Sequence, residues 1–521
     1  MDVGRNNDSL NKAAGKTPND FFSSSTTFGS QKRIFLTQPT GSDFPKSDLS
    51  DLGKCGSAGL PVYDNATKRE KNTFTDFSER GRIISRDIFL GKGDEKKSFG
   101  VFLNTESPKI MHIDLNSCFA TVEQQSRPSL RGKPIGVTNR VRENCCVIAA
   151  SIEAKQLGVK VGMSRKEAEQ LVPNFIMLEA DPPKYHWAYQ RLMRIMKSYS
   201  PNVRMKSIDE GLIDFHGTPH QDLVKIGYEI KQRLHEDLGC WMRCNIGIGT
   251  NRFLAKLASN LHKPDGLDVI NAENLTEIYD QLKLTNLPGI AKHLSLRLMQ
   301  NHINTPLEFL MADDQTLRKQ VFRSNIIGLG WYQRLRGFEV DDFKTKQGQV
   351  GRQFVLDKRT NDDDEILSRL QYLCQTSAMK LRRSGLDARG MLVWLAFAKA
   401  PTFGDSRPEG FWQKRKMYDT AAFTDQDVFA RARELFLERP RQTVTAIGMT
   451  CYGLTPTTRS QITLLPENVR ADDLMLALDD ANTRYGNFTV TYADALIGKN
   501  LIKQKIPFGS TRYFELLISG A

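Results

Sequence analysis

Hydrophobic periodicity divides the chain near residue 109. Before that point apolar residues are scattered among Gly, Asn, Asp and Ser, as in FFSSSTTFGSQ, and residues 1–108 are expected to be a largely disordered extension. From Lys109 the pattern turns globular. Ile110-Met111-His112-Ile113-Asp114-Leu115 reads as a buried strand ending in a carboxylate, followed by an apolar-faced helix over Cys118 to Gln125. Cys146-Val147-Ile148-Ala149-Ala150 predicts another strand, SIEAKQLGVKVGM a short helix ended by Gly158, and KYHWAYQRLMRIMKSY (184–199) a longer helix. Val203 to Phe215 reads as two strands meeting at an acidic turn, Asp209-Glu210. Strands alternating with helices in this way indicate an α+β core.

Beyond Asn286, LPGIAKHLSLRLMQNHI opens on an apolar-Pro-Gly-apolar turn between helices, and FRSNIIGLGWYQRLRG repeats the theme. Hairpin glycines allow a backbone to approach a phosphate closely. Residues 338–349 are polar and read as a linker. From Val350 to about Leu454, strand-like runs (MLVWLAFAKA, VTAIGMTCYGL) alternate with helical ones (DEILSRLQYLCQTSAMKLRR, DQDVFARARELFLER), enough for a separate α+β domain. A further helical run, DDLMLALDDANTRYG, lies in the tail.

Length and composition narrow the class. At roughly 100 to 200 residues per domain, 521 residues make about three or four domains and exclude a single small binding module. No stretch approaches the roughly 20 apolar residues of a membrane-spanning helix, and the polar N-terminus has no signal-peptide core, so a cytoplasmic protein is expected. Lys and Arg (73) outnumber Asp and Glu (60), which suits a polyanionic partner such as nucleic acid. Residues 1–108 hold 16 basic and 14 acidic side chains, so about +11 of the net +13 lies in the part expected to fold. Eight cysteines with no CxxC pair argue against disulfides and structural zinc; Cys145, Cys146, Cys240 and Cys244 read as small buried hydrophobes.

Candidate chemistry centres on Asp114 and the pair Asp209-Glu210. A lone carboxylate on a strand usually caps a turn or faces water. Carboxylates converging from neighbouring strands repel one another unless cations neutralise them, and an all-oxygen site selects magnesium or manganese. Two such ions about 3.5 to 4 Å apart serve phosphoryl transfer. In IGIGTNRFLAKLASNLHKPDGLDVI, Lys256 and Lys263 lie seven apart, two helical turns, so one helical face is expected to carry both, with Pro264 ending the helix. Alone they read as surface lysines; beside an acidic cluster they suit a triphosphate.

Together, HIDLNSCFATVE, KSIDEGLIDF and GIGTNRFLAKLASNLHKPDG resemble three ordered motifs of the Y-family translesion DNA polymerases, bacterial DinB/UmuC type, over roughly residues 109–465. The resemblance implies an α+β multidomain right-hand polymerase. A ferredoxin-like palm would occupy 109–117 and 181–270, small fingers 118–180, a helix-hairpin-helix thumb 271–337, and an α+β little finger 350–456, before a tail at 457–521. It implies addition of dNTPs to a primer 3′-hydroxyl by two-metal phosphoryl transfer, with low fidelity, past damaged bases in DNA repair and the SOS response. Asp114, Asp209, Glu210 and the Leu115 carbonyl would hold two Mg2+ (or Mn2+) ions. Phe119 falls at the steric-gate position under the incoming sugar; on its own it would read as a core aromatic. Lys155, Lys256 and Lys263 would meet the nucleotide. The implied partners are primer-template DNA and dNTPs, for a monomer at the nucleoid.

The chain departs from the pattern at Ile152 and Lys155, where many DinB-type enzymes carry a tyrosine and an arginine. Loss of the tyrosine hydroxyl removes one hydrogen bond, about 1 kcal/mol, and bears on nucleotide affinity rather than metal binding. Asn116 replaces an acidic residue of several relatives. Gln461-Ile462-Thr463-Leu464-Leu465 resembles a bacterial sliding-clamp peptide: Gln461 would bond a pocket rim while Ile462, Leu464 and Leu465 fill a groove; by itself the run reads as a strand or linker. Two rival readings are a non-catalytic clamp- and partner-binding scaffold and a nucleotidyl transferase with restricted template use.

Overall fold

The computed structural model describes residues 34–36, 81–87, 98–142, 145–219, 222–342, 347–397, 410–457, 466–486, 488–493 and 495–496. They divide near residue 350 into two compact units. No helix among them is long and apolar enough to cross a membrane.

The first unit is organised by the Ile110–Leu115 strand at the centre of a five-stranded sheet. Across the sheet the order is Leu267–Ile270, Cys244–Gly249, Ile110–Leu115, Glu210–Asp214, Val203–Met205. Successive strand residues point to opposite faces. Met111, Ile113 and Leu115 accordingly pack in the core containing Tyr189, Leu192, Ile226 and Ile230, from the helices Pro182–Lys197 and Leu223–Leu238. Ile110 lies on the other face with Leu212 and Ala255. The strand–helix–strand–strand–helix–strand order of this sheet is ferredoxin-like. The helix Arg252–Ala258 covers the second face, at a distance set by glycines: a Cβ on Gly247 would sit 2.1 Å from the Ala255 carbonyl oxygen, and one on Gly249 2.6 Å from the Ala255 nitrogen.

Residues 135–179 carry a three-stranded sheet, Ala149–Ala150, Ile135–Thr138, Ile176–Glu179, with the short helices Ile152–Gln156 and Arg165–Leu171. They have their own small core around Val147, Ala154, Ala168 and Phe175. Helices between residues 275 and 335 share a further core with Phe253 and Leu254. Gly289 in the LPGI turn has φ +89°, a conformation that favours glycine.

Several expectations from the sequence need correction. Ordered structure begins before Lys109: Ser98–Asn104 is a strand paired with Gly81–Asp87, and Val101 and Leu103 are buried in the Phe253 core. Apolar alternation over seven residues was too short to stand out from its polar surroundings. The lysine-segment helix ends at Ala258, so Lys263 lies beyond it, not on a shared face with Lys256. Gly328 and Gly330 fall inside the helix Asn325–Leu335, so the second segment does not repeat the LPGI turn. Of the four cysteines, only Cys244 is buried; Cys146 and Cys240 are exposed.

The second unit is a four-stranded sheet, Gln349–Thr360, Val444–Pro456, Leu386–Phe397, Phe411–Ala422, with the helices Asp363–Arg383 and Asp425–Leu437. The tail packs onto it. Buried Arg382 bridges Asp425 and Asp479 of the helix Pro466–Tyr485, Gln375 bonds Thr491, and Val490–Tyr492 pairs with Ile34–Leu36.

Gly247→Ala should lower thermal stability by about 1 to 3 kcal/mol, because the clash is with helix backbone and cannot be relieved by a side chain. Calorimetry checks this; an unchanged Tm would show that the helix is not held at that contact.

Candidate active site

Backbone pairing brings the three carboxylates together. Asp114 lies directly opposite Glu210 in the antiparallel register, which places both on the face covered by Arg252–Ala258. Asp209 sits in the turn just before, and its carbonyl accepts the Leu115 N–H at 2.9 Å. The cost of this closeness falls on Asp209. Burial raises the Asp209 pKa above its ordinary value, and repulsion from Asp114 and Glu210 adds to the rise against a hydrogen bond from Ser207 Oγ to Oδ1 at 2.5 Å. Glu210 goes the other way: burial would raise it, but His112 and Lys256 outweigh that and hold it at about 2. Lys256 Nζ donates to both Glu210 oxygens at 2.7 and 3.0 Å, and His112 Nε2 lies 3.3 Å from Oε2. Lys263 Nζ donates to Asp114 Oδ2.

Beside the carboxylates lies a cavity of about 610 Å³, lined among others by Asp114, Leu115, Phe119, Lys155, Asp209 and Lys263. The helix Cys118–Ser126 presents Phe119, 7% exposed, which stacks on Tyr185 at 4.4 Å between ring centroids. Tyr185 is held in turn by a 2.9 Å hydrogen bond to buried Glu123. Lys155 Nζ reaches across the cavity to Ser117 Oγ at 2.8 Å; burial, then repulsion from Lys263, lowers its pKa. Ile152 also lines the cavity.

The structure thus gathers Asp114, Leu115, Asp209, Phe119, Lys155 and Lys263 around one cavity, with Glu210 beside them. Lys256 faces Glu210 and is not among the residues lining the cavity, because the helix that carries it ends before the Lys263 loop. Gln461, Ile462, Leu464 and Leu465 lie outside the described residues. Sequence reading passed over His112 and Ser259, whose Oγ lies 2.9 Å from His112 Nδ1. The available signal was strand period: His112 is two residues before Asp114, hence on its face.

Asp114, Asp209 and Glu210 offer only oxygens, the donor set of a hard divalent cation. Among the described residues no three such groups form a finished cation shell, and ammonium groups engage Asp114 and Glu210. Asp209 fits a cation, because burial and repulsion from two other carboxylates both oppose its charge and added positive charge relieves both.

Comparison with known proteins gives the family of the chain. Residues 113–260 match the impB/mucB/samB family, and residues 347–464 match the C-terminal domain of that family. DNA polymerase IV of Staphylococcus haemolyticus is 30% identical over 353 residues, 66% of this chain and 94% of that relative. DNA polymerase IV of Pelotomaculum thermopropionicum is 29% identical over 405 residues, 76% of this chain and 97% of that relative. Among solved structures, a Y-family DNA polymerase chimera built on Dbh aligns with a TM-score of 0.56 at 23% identity, covering 66% of this chain and 98% of the chimera, a likeness of fold. The chain belongs to the impB/mucB/samB family, the DinB-type Y-family DNA polymerases.

The two adjacent acids should respond oppositely to neutralisation. A raised carboxylate destabilises the fold once pH passes its elevated pKa, so in divalent-free buffer at pH 7.5 Asp209→Asn should raise Tm. A depressed carboxylate stabilises above its ordinary pKa and loses that contribution as pH falls towards 2, so Glu210→Gln should cost about 1 to 2 kcal/mol at pH 7.5. Thermal melts of both variants check the pair; shifts of the same sign would contradict the electrostatic assignment.

Proposed function

We propose that this chain performs template-directed, low-fidelity DNA synthesis past damaged bases during DNA repair and the SOS response, extending a primer 3′-hydroxyl with dNTPs. The observation that carries the reading is the convergence of Asp114, Asp209 and Glu210 at the edge of a cavity that also contains Lys263, Lys155 and Phe119. Asp114, Asp209, Glu210 and the Leu115 carbonyl would hold two Mg2+ or Mn2+ ions. When bound, such ions supply Lewis-acid stabilisation of the attacking and leaving oxygens in an in-line phosphoryl transfer.

The protein's own contribution is placement and charge. Lys263, already bonded to Asp114, would move to the triphosphate, and Lys155, which lines the same cavity, would add a second positive charge. Phe119 cannot yield easily, since Tyr185 backs its ring and Glu123 fixes Tyr185, so a sugar 2′-hydroxyl would meet a rigid aromatic face. Lys256 and His112 would keep Glu210 ionised and oriented. The positive excess of residues 109–521 supports a phosphate-directed, salt-dependent grip on primer-template DNA with little sequence preference. Residues 461–465 would bind a bacterial sliding clamp, with the chain otherwise acting as a monomer.

Primer extension with Mg2+ and each dNTP tests the assignment: Asp209→Ala and Glu210→Ala should each reduce extension by about 10³-fold or more. Persistence of synthesis in both variants would refute it. Phe119→Ala should admit ribonucleotides; unchanged sugar discrimination would reject the gate. Deleting 461–465 should reduce clamp-dependent processivity alone, and equal losses with and without a clamp would contradict the peptide assignment.

A further inference from the structure

Lys263 does not stand on a regular element. It occupies a loop between the helix Arg252–Ala258 and the strand Leu267–Ile270, so something else must set where its ammonium group points. Two buried amides do so. Asn116, two residues after Asp114, donates from Nδ2 to Asn245 Oδ1 at 2.8 Å and accepts the Asp265 N–H on its own Oδ1 at 2.9 Å. Asn245, directly opposite Asp114 in the sheet, donates from Nδ2 to the His262 carbonyl at 2.9 Å. The relay therefore starts on the residue just past the end of the carboxylate strand, crosses to the neighbouring strand and reaches the residue before Lys263 and the second residue after it.

Each link requires a group that donates and accepts at once. A carboxylate can only accept when ionised, and an alanine does neither, whereas an amide does both within one plane. Both side chains are buried, Asn245 at 0% and Asn116 at 6% exposure, so a broken link leaves a partner unpaired away from water. The loop also runs hard against the relay: a Cβ on Gly266 would sit 3.1 Å from Asn245 Nδ2 and 2.1 Å from the His262 carbonyl oxygen. Lys231 adds a tie from outside, donating to Asp265 Oδ1 at 2.8 Å.

We infer that Asn116 and Asn245 are positioning residues for nucleotide binding, fixing Lys263 against the carboxylate cluster through a neutral amide relay. This rests on the reading of Lys263 as a triphosphate contact. Neither amide touches the reacting atoms; both act through Lys263. Neutrality matters, because an acid at either position would add a fourth negative charge beside Asp114, Asp209 and Glu210.

The test is primer extension by the full-length protein, with kcat and dNTP KM measured for Asn245→Ala, Asn116→Asp, Lys263→Ala and the double variant Asn245→Ala/Lys263→Ala. Asn245→Ala and Asn116→Asp should each raise KM about 10-fold with kcat changed less than about 3-fold, and Asn245→Ala should add nothing once Lys263 is gone. Asn116→Asp keeps the side-chain size and the acceptor for Asp265, so it reports even if Asn245→Ala fails to fold. An Asn245→Ala effect on KM that persists in the Lys263→Ala background, or a fall in kcat at constant KM, overturns the inference while leaving Lys263 in place. Unchanged KM in Lys263→Ala itself removes the underlying reading and the inference with it.

Discussion

Three carboxylates that would separate if free are held together by strand pairing. The register that sets Asp114 opposite Glu210, and the bond from the Leu115 N–H to the Asp209 carbonyl, belong to a sheet whose other face is a large apolar core. Relieving the repulsion by moving a strand would expose that core, since a one-residue slip turns every side chain to the wrong face. The fold therefore keeps the acids close and meets the electrostatic cost with ammonium groups, Lys256 at Glu210 and Lys263 at Asp114, while His112 Nε2 lies beside Glu210. Asp209, buried and repelled by both neighbouring carboxylates, keeps a raised pKa despite the Ser207 hydroxyl bonded to it.

The same constraint explains why the lysines differ. Lys256 is on a helix pressed to the sheet at Gly247 and Gly249, so its position is as rigid as the backbone beneath it. Lys263 is on a loop and owes its place to Asn116 and Asn245. In the proposed function, a fixed cation suits the role of keeping Glu210 ionised, and one at a loop suits a group that would exchange a carboxylate for an incoming triphosphate. Phe119 belongs to a third, independent set of contacts through Tyr185 and Glu123, which is why sugar selection and charge neutralisation are expected to be separable.

Much of the site was legible in the sequence because strand ends and turns carry strong local signals. The run ending at Asp114, the acidic turn at Asp209-Glu210 and the alternation of strands and helices in an α+β core all follow from local periodicity. What was not legible depends on contacts distant in sequence. In the sequence Asn116 reads only as a replacement for an acidic residue, because its partner Asn245 lies 129 residues away. Lys256 and Lys263 shared a helical spacing that the helix did not honour, because spacing cannot report that the helix stops at Ala258. His112 was visible only as a polar residue in an apolar strand, and its partners Glu210 and Ser259 come from elements far along the chain. The strand at Ser98–Asn104 was missed for a related reason: its stability comes from burial of Val101 and Leu103 in a core assembled from residues 253 to 335.

The cation site proposed at Asp114, Asp209 and Glu210 is open to a direct test. Direct Mn2+ titration followed by electron paramagnetic resonance, on the full-length protein with a chain-terminated primer-template and a dNTP, tests it without turnover. Two bound ions per chain, reduced by Asp209→Asn and by Glu210→Gln, is the predicted result. A stoichiometry that both substitutions leave unchanged would contradict it.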